Sequence, residues 1–242
     1  MDEPKTPAER AKFAAARRAL DYVEPGMRLG LGTGSTAVHL VRLLGERMGA
    51  SGLFCVATSS RTARLAAECG LRVGALDEVG ALDLTIDGAD EFDPDLTLIK
   101  GGGGSLLQEK IVAAASRRMI VIADAGKAVS RLGAFPLPVE VVRFGWRATM
   151  ERIAEALADE DVDGRAARLR MADGAPLVTD EGHHIVDLAL GRIGDAPGLS
   201  LRLNNLPGVV ETGLFIDMAR AAVVGREDGG ATVVEKPGPD GA

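Results

Sequence analysis

The chain has 242 residues, with 28 Lys and Arg against 35 Asp and Glu, for a formal net charge of −7. That acidic balance argues against nucleic acid as the main partner, because a phosphate-backbone footprint needs a net basic face. A small phosphorylated ligand needs only a local nest and one or two cations, so it stays open. Hydrophobic residues make up 46% and aromatics only 3%, and the length suits a large domain with an aliphatic core plus a smaller one. The N-terminal MDEPKTPAERAK has neither a basic region nor an apolar stretch of the kind that directs export. No apolar run approaches the roughly 18 residues of a membrane span. Cys55 and Cys69 lack a metal-ligand spacing, and two lone thiols fit a reducing compartment. The expectation is a cytoplasmic protein with neither a nucleic-acid nor a membrane partner.

In chain order, Thr6-Pro7-Ala8-Glu9 reads as a helix start, with a hydroxyl cap, Pro at the first helical position and Glu closing a capping box. That helix should run to about Val23 and stop before Pro25-Gly26. A strand over Met27–Leu31 then feeds Gly30–Thr36 and a helix with Leu40, Val41 and Leu44 on one face. Leu53–Thr58 reads as a buried strand, and Ser60–Cys69 as a helix closed by Gly70. Leu82–Ile86 follows as a strand with Asp83, Thr85 and Asp87 alternating outward, then a strand over Leu96–Ile99, a helix over Leu106–Arg117 and a strand over Met119–Ala123. Short aliphatic strands alternating with helices indicate an α/β fold: a Rossmann-like, mostly parallel sheet with helices on both faces.

After Phe135-Pro136-Leu137-Pro138 the texture changes to a smaller α+β unit. It has strands near Val139–Arg143, Ala167–Met171 and Ile185–Leu190, a helix over Ala148–Ala158 and a polar turn at Asp180-Glu181-Gly182. From about Pro207 the chain rejoins the first domain through Gly213–Ile216 and Ala221–Gly225. The boundaries are thus 1–134 with 207–242 for the larger domain and 135–206 for the smaller. The Pro/Gly-rich tail Lys236–Ala242 reads as disordered.

Two glycine-rich turns carry the chemistry. Gly30–Thr36 joins a strand to a helix, so its amides and the helix dipole face the carboxyl end of the sheet. Its spacing is G-x-G-x-G rather than the dinucleotide G-x-G-x-x-G, and Thr58-Ser59-Ser60 stands where an acidic residue would be needed. No G-K-[ST] follows any glycine run, which removes the P-loop. Thr33, Ser35 and Thr36 beside open amides suit one phosphate monoester. A plain turn with a helix cap would account for one such hydroxyl but not three.

The second turn, Gly101–Gly104, follows Lys100 and precedes Ser105, Gln108 and Glu109. Four consecutive glycines contribute no packing and cost backbone entropy, so they belong where a ligand touches backbone. Ser105 and Gln108 read as a capping box that places Glu109 at the fourth helical position. A lone glutamate there would ordinarily complement the dipole on a solvated face. Lys100 at the end of one strand and Asp87 and Asp90 after another would gather at the same sheet edge if those strands are parallel. The acidic run from Asp87 to Asp95 also invites a Mg²⁺ or Ca²⁺ reading, which the lysine opposes and which lacks EF-hand spacing. Asp93 and Asp95 flank Pro94 as solvated turn residues. His39, His183 and His184 are scattered and read as structural.

Taken together, GLGTGSTA at 30–37, DGADE at 87–91, KGGGGSLLQEK at 100–110, ADAGK at 123–127, FPLPVEV at 135–141 and LPGVVETGLF at 206–215 resemble the A-type ribose-5-phosphate isomerase family in order and spacing. The resemblance implies interconversion of ribose 5-phosphate and ribulose 5-phosphate through an enediolate, without metal or cofactor. It implies that Glu109 shuttles a proton between C1 and C2, and that Lys100 with the amides of Gly101, Gly102 and Gly103 steadies the enediolate oxygens. Asp87 would assist ring opening, and Asp90 would orient substrate hydroxyls. Thr33, Gly34, Ser35 and Thr36 would hold the phosphate, with Lys127 and Lys12 as basic partners and Gly88 and Ala89 against the substrate. It further implies a homodimer or homotetramer. Ser105 and Gly126 depart from the Ala and Ser common in the family, and neither change removes a charge.

The residues themselves support this chemistry, since abstracting a proton α to a carbonyl needs a carboxylate base and an electrophile for the developing oxyanion. Two rival readings remain. One is a non-catalytic regulatory module that binds a sugar phosphate; it need not keep both Lys100 and Glu109, and the 25 or so residues before the first strand are too few for an attached helix-turn-helix domain. The other is a nicotinamide dehydrogenase, disfavoured by the spacing of the first turn.

Overall fold

The computed structural model describes residues 6–236, so the proposed disorder of 237–242 lies outside the described residues. The described residues fall into two compact units: 6–89, 108–128 and 217–236 form one, and 90–107 with 129–216 form the other. These divide the chain differently from the boundaries read at 134/135 and 206/207. Residues 90–107 and 129–134 belong with the second unit, because Glu91–Phe92 and Leu98–Ile99 pair antiparallel with each other and with Leu214–Phe215.

The first unit is built on a seven-stranded sheet ordered Ala231–Glu235, Ala219–Gly225, Met119–Asp124, Leu84–Asp87, Arg28–Leu31, Phe54–Ala57, Arg72–Val73. Every pairing is parallel except that of Ala231–Glu235, an antiparallel edge strand the sequence reading missed. The helix Pro7–Ala19 begins as read, with the Thr6 hydroxyl accepting from Glu9 N and the Glu9 carboxylate returning to Thr6 N. It closes in a 3₁₀ turn over Leu20–Tyr22. Ala15 and Ala19 of this helix, Leu40 and Leu44 of helix Ser35–Met48 and Ala66 of helix Ser60–Glu68 pack with Leu29, Leu31, Ile86 and Ile120 of the strands. On the opposite face Val112, from the helix Leu106–Ala114, meets Val56 and Leu82.

With both faces covered, a central strand has no outward side. Thr85 and Asp87, read as alternating outward, are each 0% exposed. Thr85 satisfies its hydroxyl with Ser116 Oγ at 2.6 Å. Cys55 and Cys69 are free thiols, and burial pushes Cys55 up to about 12 and raises Cys69 as well. A thiol probe is therefore expected to label Cys69 first in the native protein and Cys55 only on denaturation. Rapid labelling of Cys55 in the folded chain would contradict its place inside strand Phe54–Ala57.

The second unit holds a four-stranded antiparallel sheet ordered Val209–Thr212, Leu137–Val141, His184–Ala189, Ala166–Leu169. Alternation gives it one apolar face, where Val139, Val141, Val186 and Leu188 receive Ile153 of helix Trp146–Ala156 and Leu199 and Leu203 of helix Ala196–Asn204. A small hairpin pairs Met171–Ala172 with Ala175–Pro176 around Asp173-Gly174, the Asp-Gly turn signal that the reading passed over.

Candidate active site

In the first unit the strand order reverses between Arg28–Leu31 and Leu84–Asp87. From the first of these strands the chain proceeds to one side of the sheet, and from the second to the other. Such a switch point leaves a crevice at the carboxyl ends of the two strands, where ligands of open α/β sheets bind. Gly32–Thr36 leaves the first strand there, and Asp87–Ala89 the second. Asp87 Oδ1 ties the two together, accepting from Thr33 N at 3.1 Å and Gly88 N at 2.7 Å. Gly32 makes this approach possible, since a Cβ on it would lie 1.9 Å from Asp87 Oδ1.

The hydroxyls sort themselves. Thr33 Oγ1 donates to Ser59 Oγ at 2.8 Å, Ser59 donates to Thr62 Oγ1 at 3.1 Å, and Thr62 donates back to Gly32 O at 3.2 Å. Thr33 thus shapes the turn with both its amide and its hydroxyl. Thr36 is buried while Ser35 is exposed. The helix Ser35–Met48 starts from Gly34 at φ +129° with no side-chain cap, so no Ser or Thr of the turn serves as an ordinary helix cap. The helix's first amides, which have no intrahelical acceptor, remain for an anion. The signal for this relay was the run Thr58-Ser59-Ser60, noticed only as an argument against a dinucleotide.

Glu109 sits in the first turn of helix Leu106–Ala114 and is 3% exposed. A dipole complement on a solvated face would not be so buried, and charged side chains are almost never fully buried without a specific role or partner. Lys12 and Lys127 line one groove of about 580 Å³ together with Arg226, which the sequence reading did not single out. Gly88 and Ala89 are half-buried at the end of strand Leu84–Asp87.

In the second unit, Lys100 follows the two-residue strand Leu98–Ile99, which lies in the small antiparallel sheet and not, as the parallel-strand argument required, in the main sheet. Lys100 is 2% exposed, its amide donates to Gly213 O at 2.9 Å, and its Nζ lies 5.3 Å from the Phe215 ring centroid. Gly101 holds φ +108°, and Gly104 N closes the turn on Gly101 O at 3.0 Å. Gly102 N donates to Asp90 Oδ2 at 2.7 Å. That amide is committed to Asp90, which leaves the exposed Gly103 as the donor at the tip of the turn.

The rest of the acidic run is structural. Glu91 accepts from Gly133 N at 2.7 Å and from Phe135 N, and Asp93 Oδ1 accepts from Asp95 N at 3.0 Å and Thr97 N at 2.9 Å. Among the described residues no three His, Cys, Asp or Glu side chains gather as a metal site. His39 packs edge-on against Phe13 at 5.9 Å, and burial, reinforced by Arg42, lowers its pKa. His183 Nδ1 meets Glu140 Oε1 at 3.0 Å and His184 Nδ1 meets Leu177 O at 2.7 Å, so all three histidines have structural surroundings. No helix among the described residues is long and apolar enough to cross a membrane.

Residues 54–229 match the family model described as ribose 5-phosphate isomerase A (phosphoriboisomerase A). A ribose-5-phosphate isomerase A from Dinoroseobacter shibae is 62% identical over 231 residues, 95% of this chain and 89% of that protein. One from Ruegeria pomeroyi is 62% identical over 226 residues, 93% of this chain and 86% of that protein. A solved D-ribose-5-phosphate isomerase in complex with phospho-erythronic acid superposes with a TM-score of 0.87 at 38% identity, covering 94% of this chain and 99% of that one.

Proposed function

The chain belongs to the ribose 5-phosphate isomerase A family and interconverts D-ribose 5-phosphate and D-ribulose 5-phosphate, and we propose that its own side chains move the proton through an enediolate. Asp87 assists opening of the sugar ring, and Asp90 orients substrate hydroxyls. Glu109 takes the proton from C2 and returns it to C1. The charge that develops on the carbonyl oxygen meets Lys100 and the Gly103 amide, while the proton of the C2 hydroxyl passes to that oxygen. The start of helix Ser35–Met48 and the Lys12–Lys127 groove receive the phosphate. The observation that carries the reading is the burial of both Glu109 and Lys100, since a base and an electrophile kept from water interact more strongly with developing charge.

A regulatory module without turnover is not favoured, because the curated relatives are named as enzymes. The reading includes a cytoplasmic homodimer or homotetramer that needs no metal or cofactor. Turnover in ²H₂O should place deuterium on the product carbon. Full retention of the substrate hydrogen, together with parental turnover in Glu109→Gln, would replace proton transfer with a hydride shift. Loss of activity on incubation with EDTA would overturn the metal-free claim, and a sedimentation mass of one chain would overturn the assembly.

A further inference from the structure

We infer that Arg170 is a positioning residue for the reaction: it holds the Gly101–Gly104 turn so that the Gly103 amide faces the developing oxyanion. The inference rests on the proposed role of that turn and deepens it. Arg170 lies at the end of strand Ala166–Leu169, with its backbone fixed by bonds from its amide to Ile185 O at 2.8 Å and from Leu177 N to its carbonyl at 2.9 Å. Its side chain is only 14% exposed. Nε donates to Asp187 Oδ2 at 2.8 Å and Nη2 to Asp187 Oδ1, a fork-to-fork pair that fixes the plane of the guanidinium. The remaining nitrogen, Nη1, then reaches Gly101 O at 2.7 Å and Gly102 O at 3.2 Å.

A trans peptide is planar and its C=O and N–H point in opposite directions. Drawing the Gly101 carbonyl onto Arg170 therefore turns the Gly102 N–H the other way, where it meets Asp90 Oδ2 at 2.7 Å. Drawing the Gly102 carbonyl onto the same guanidinium turns the Gly103 N–H away from Arg170, and Gly102 and Gly103 are both exposed. Glycines at 101–104 impose no orientation of their own, since their backbone has the widest conformational freedom. A cation on the carbonyl side also polarises each peptide and strengthens its N–H as a donor. Asp187 contributes by aiming Arg170. Lysine cannot replace it, because a point donor cannot hold a carboxylate and two carbonyls in one plane.

The test is steady-state kinetics of Arg170→Met, Arg170→Lys and Asp187→Asn, with thermal unfolding and binding of phospho-erythronic acid, whose planar carboxylate imitates the enediolate. In Arg170→Met, kcat should fall about 10²-fold with KM nearly unchanged, and affinity for the acid should weaken in step with kcat/KM. Arg170→Lys and Asp187→Asn should show smaller losses in the same pattern, and they carry the test if Arg170→Met does not fold. Parental kcat in folded variants, full rescue by lysine, or a loss confined to KM would overturn the inference. Glu109→Gln measured alongside separates the two levels: turnover surviving there overturns the proposed base, whereas turnover lost there but kept in the Arg170 variants overturns the positioning role alone.

Discussion

Glu109→Gln should reduce kcat about 10²–10⁴-fold while leaving KM for ribose 5-phosphate close to the parental value. Glutamine has the shape of glutamate, so the variant removes the basic lone pair without opening a cavity beside this 3%-exposed side chain. The loss should fall on kcat, because the proposed substrate-binding elements are the Gly30–Thr36 turn and the Lys12–Lys127 groove, neither of which contains Glu109. The thermal midpoint should stay near the parental one, which separates lost chemistry from lost folding. Turnover near the parental rate would remove Glu109 from the base role and require another buried carboxylate.

Gly32→Ala should destabilise the first unit and disable the turn at once, through a single added methyl group. Its Cβ would meet Asp87 at 1.9 Å from Oδ1, 2.2 Å from Cγ and 2.5 Å from Cα. A side chain alone can rotate away; the backbone Cα of a central strand has nowhere to go. Overpacking of this kind costs about 1–3 kcal/mol. Displacing Asp87 also forfeits its bonds from Thr33 N and Gly88 N, each worth about 1.5–3 kcal/mol to a charged acceptor. A net loss of about 4 kcal/mol, the low end of these terms, lowers Tm by roughly 8–16 °C in a protein of this size. Whatever fraction folds should turn over poorly, because the turn proposed to hold phosphate and the carboxylate proposed to open the ring are held by the same two bonds. Gly34 offers a contrast: a Cβ there has open space, and only its φ of +129° resists substitution. An unchanged Tm with full activity for Gly32→Ala would contradict the packing of Asp87 beneath the turn.

Local pattern explains why so much of the first unit was legible. The capping box at Thr6 and Glu9, the strand–glycine–helix passage at Gly30–Thr36 and the buried stripe of Leu40, Val41 and Leu44 are all written within one or two turns of chain. The errors have equally local causes. Leu98–Ile99 has the aliphatic texture of a parallel strand, but a two-residue pair with Glu91–Phe92 needs no crossover and forms antiparallel instead. The edge strand Ala231–Glu235 is half exposed and lacks the continuous apolar run by which its neighbours were recognised. Thr85 and Asp87 were turned outward by alternation, a rule that fails where helices cover both faces of a sheet.

The sequence by itself determined the alternation of strands and helices, the two glycine turns, the family and the kinds of group proposed for the reaction, because each is carried by neighbouring residues or by ordered motifs. Tertiary structure alone decided that Asp87 is buried as the tie between two strand ends, that the Gly102 amide is spent on Asp90, and that Arg170 grips a carbonyl 69 residues away. Those assignments depend on side-chain direction and on contacts between distant segments, and neither leaves a periodic or local signature in the chain.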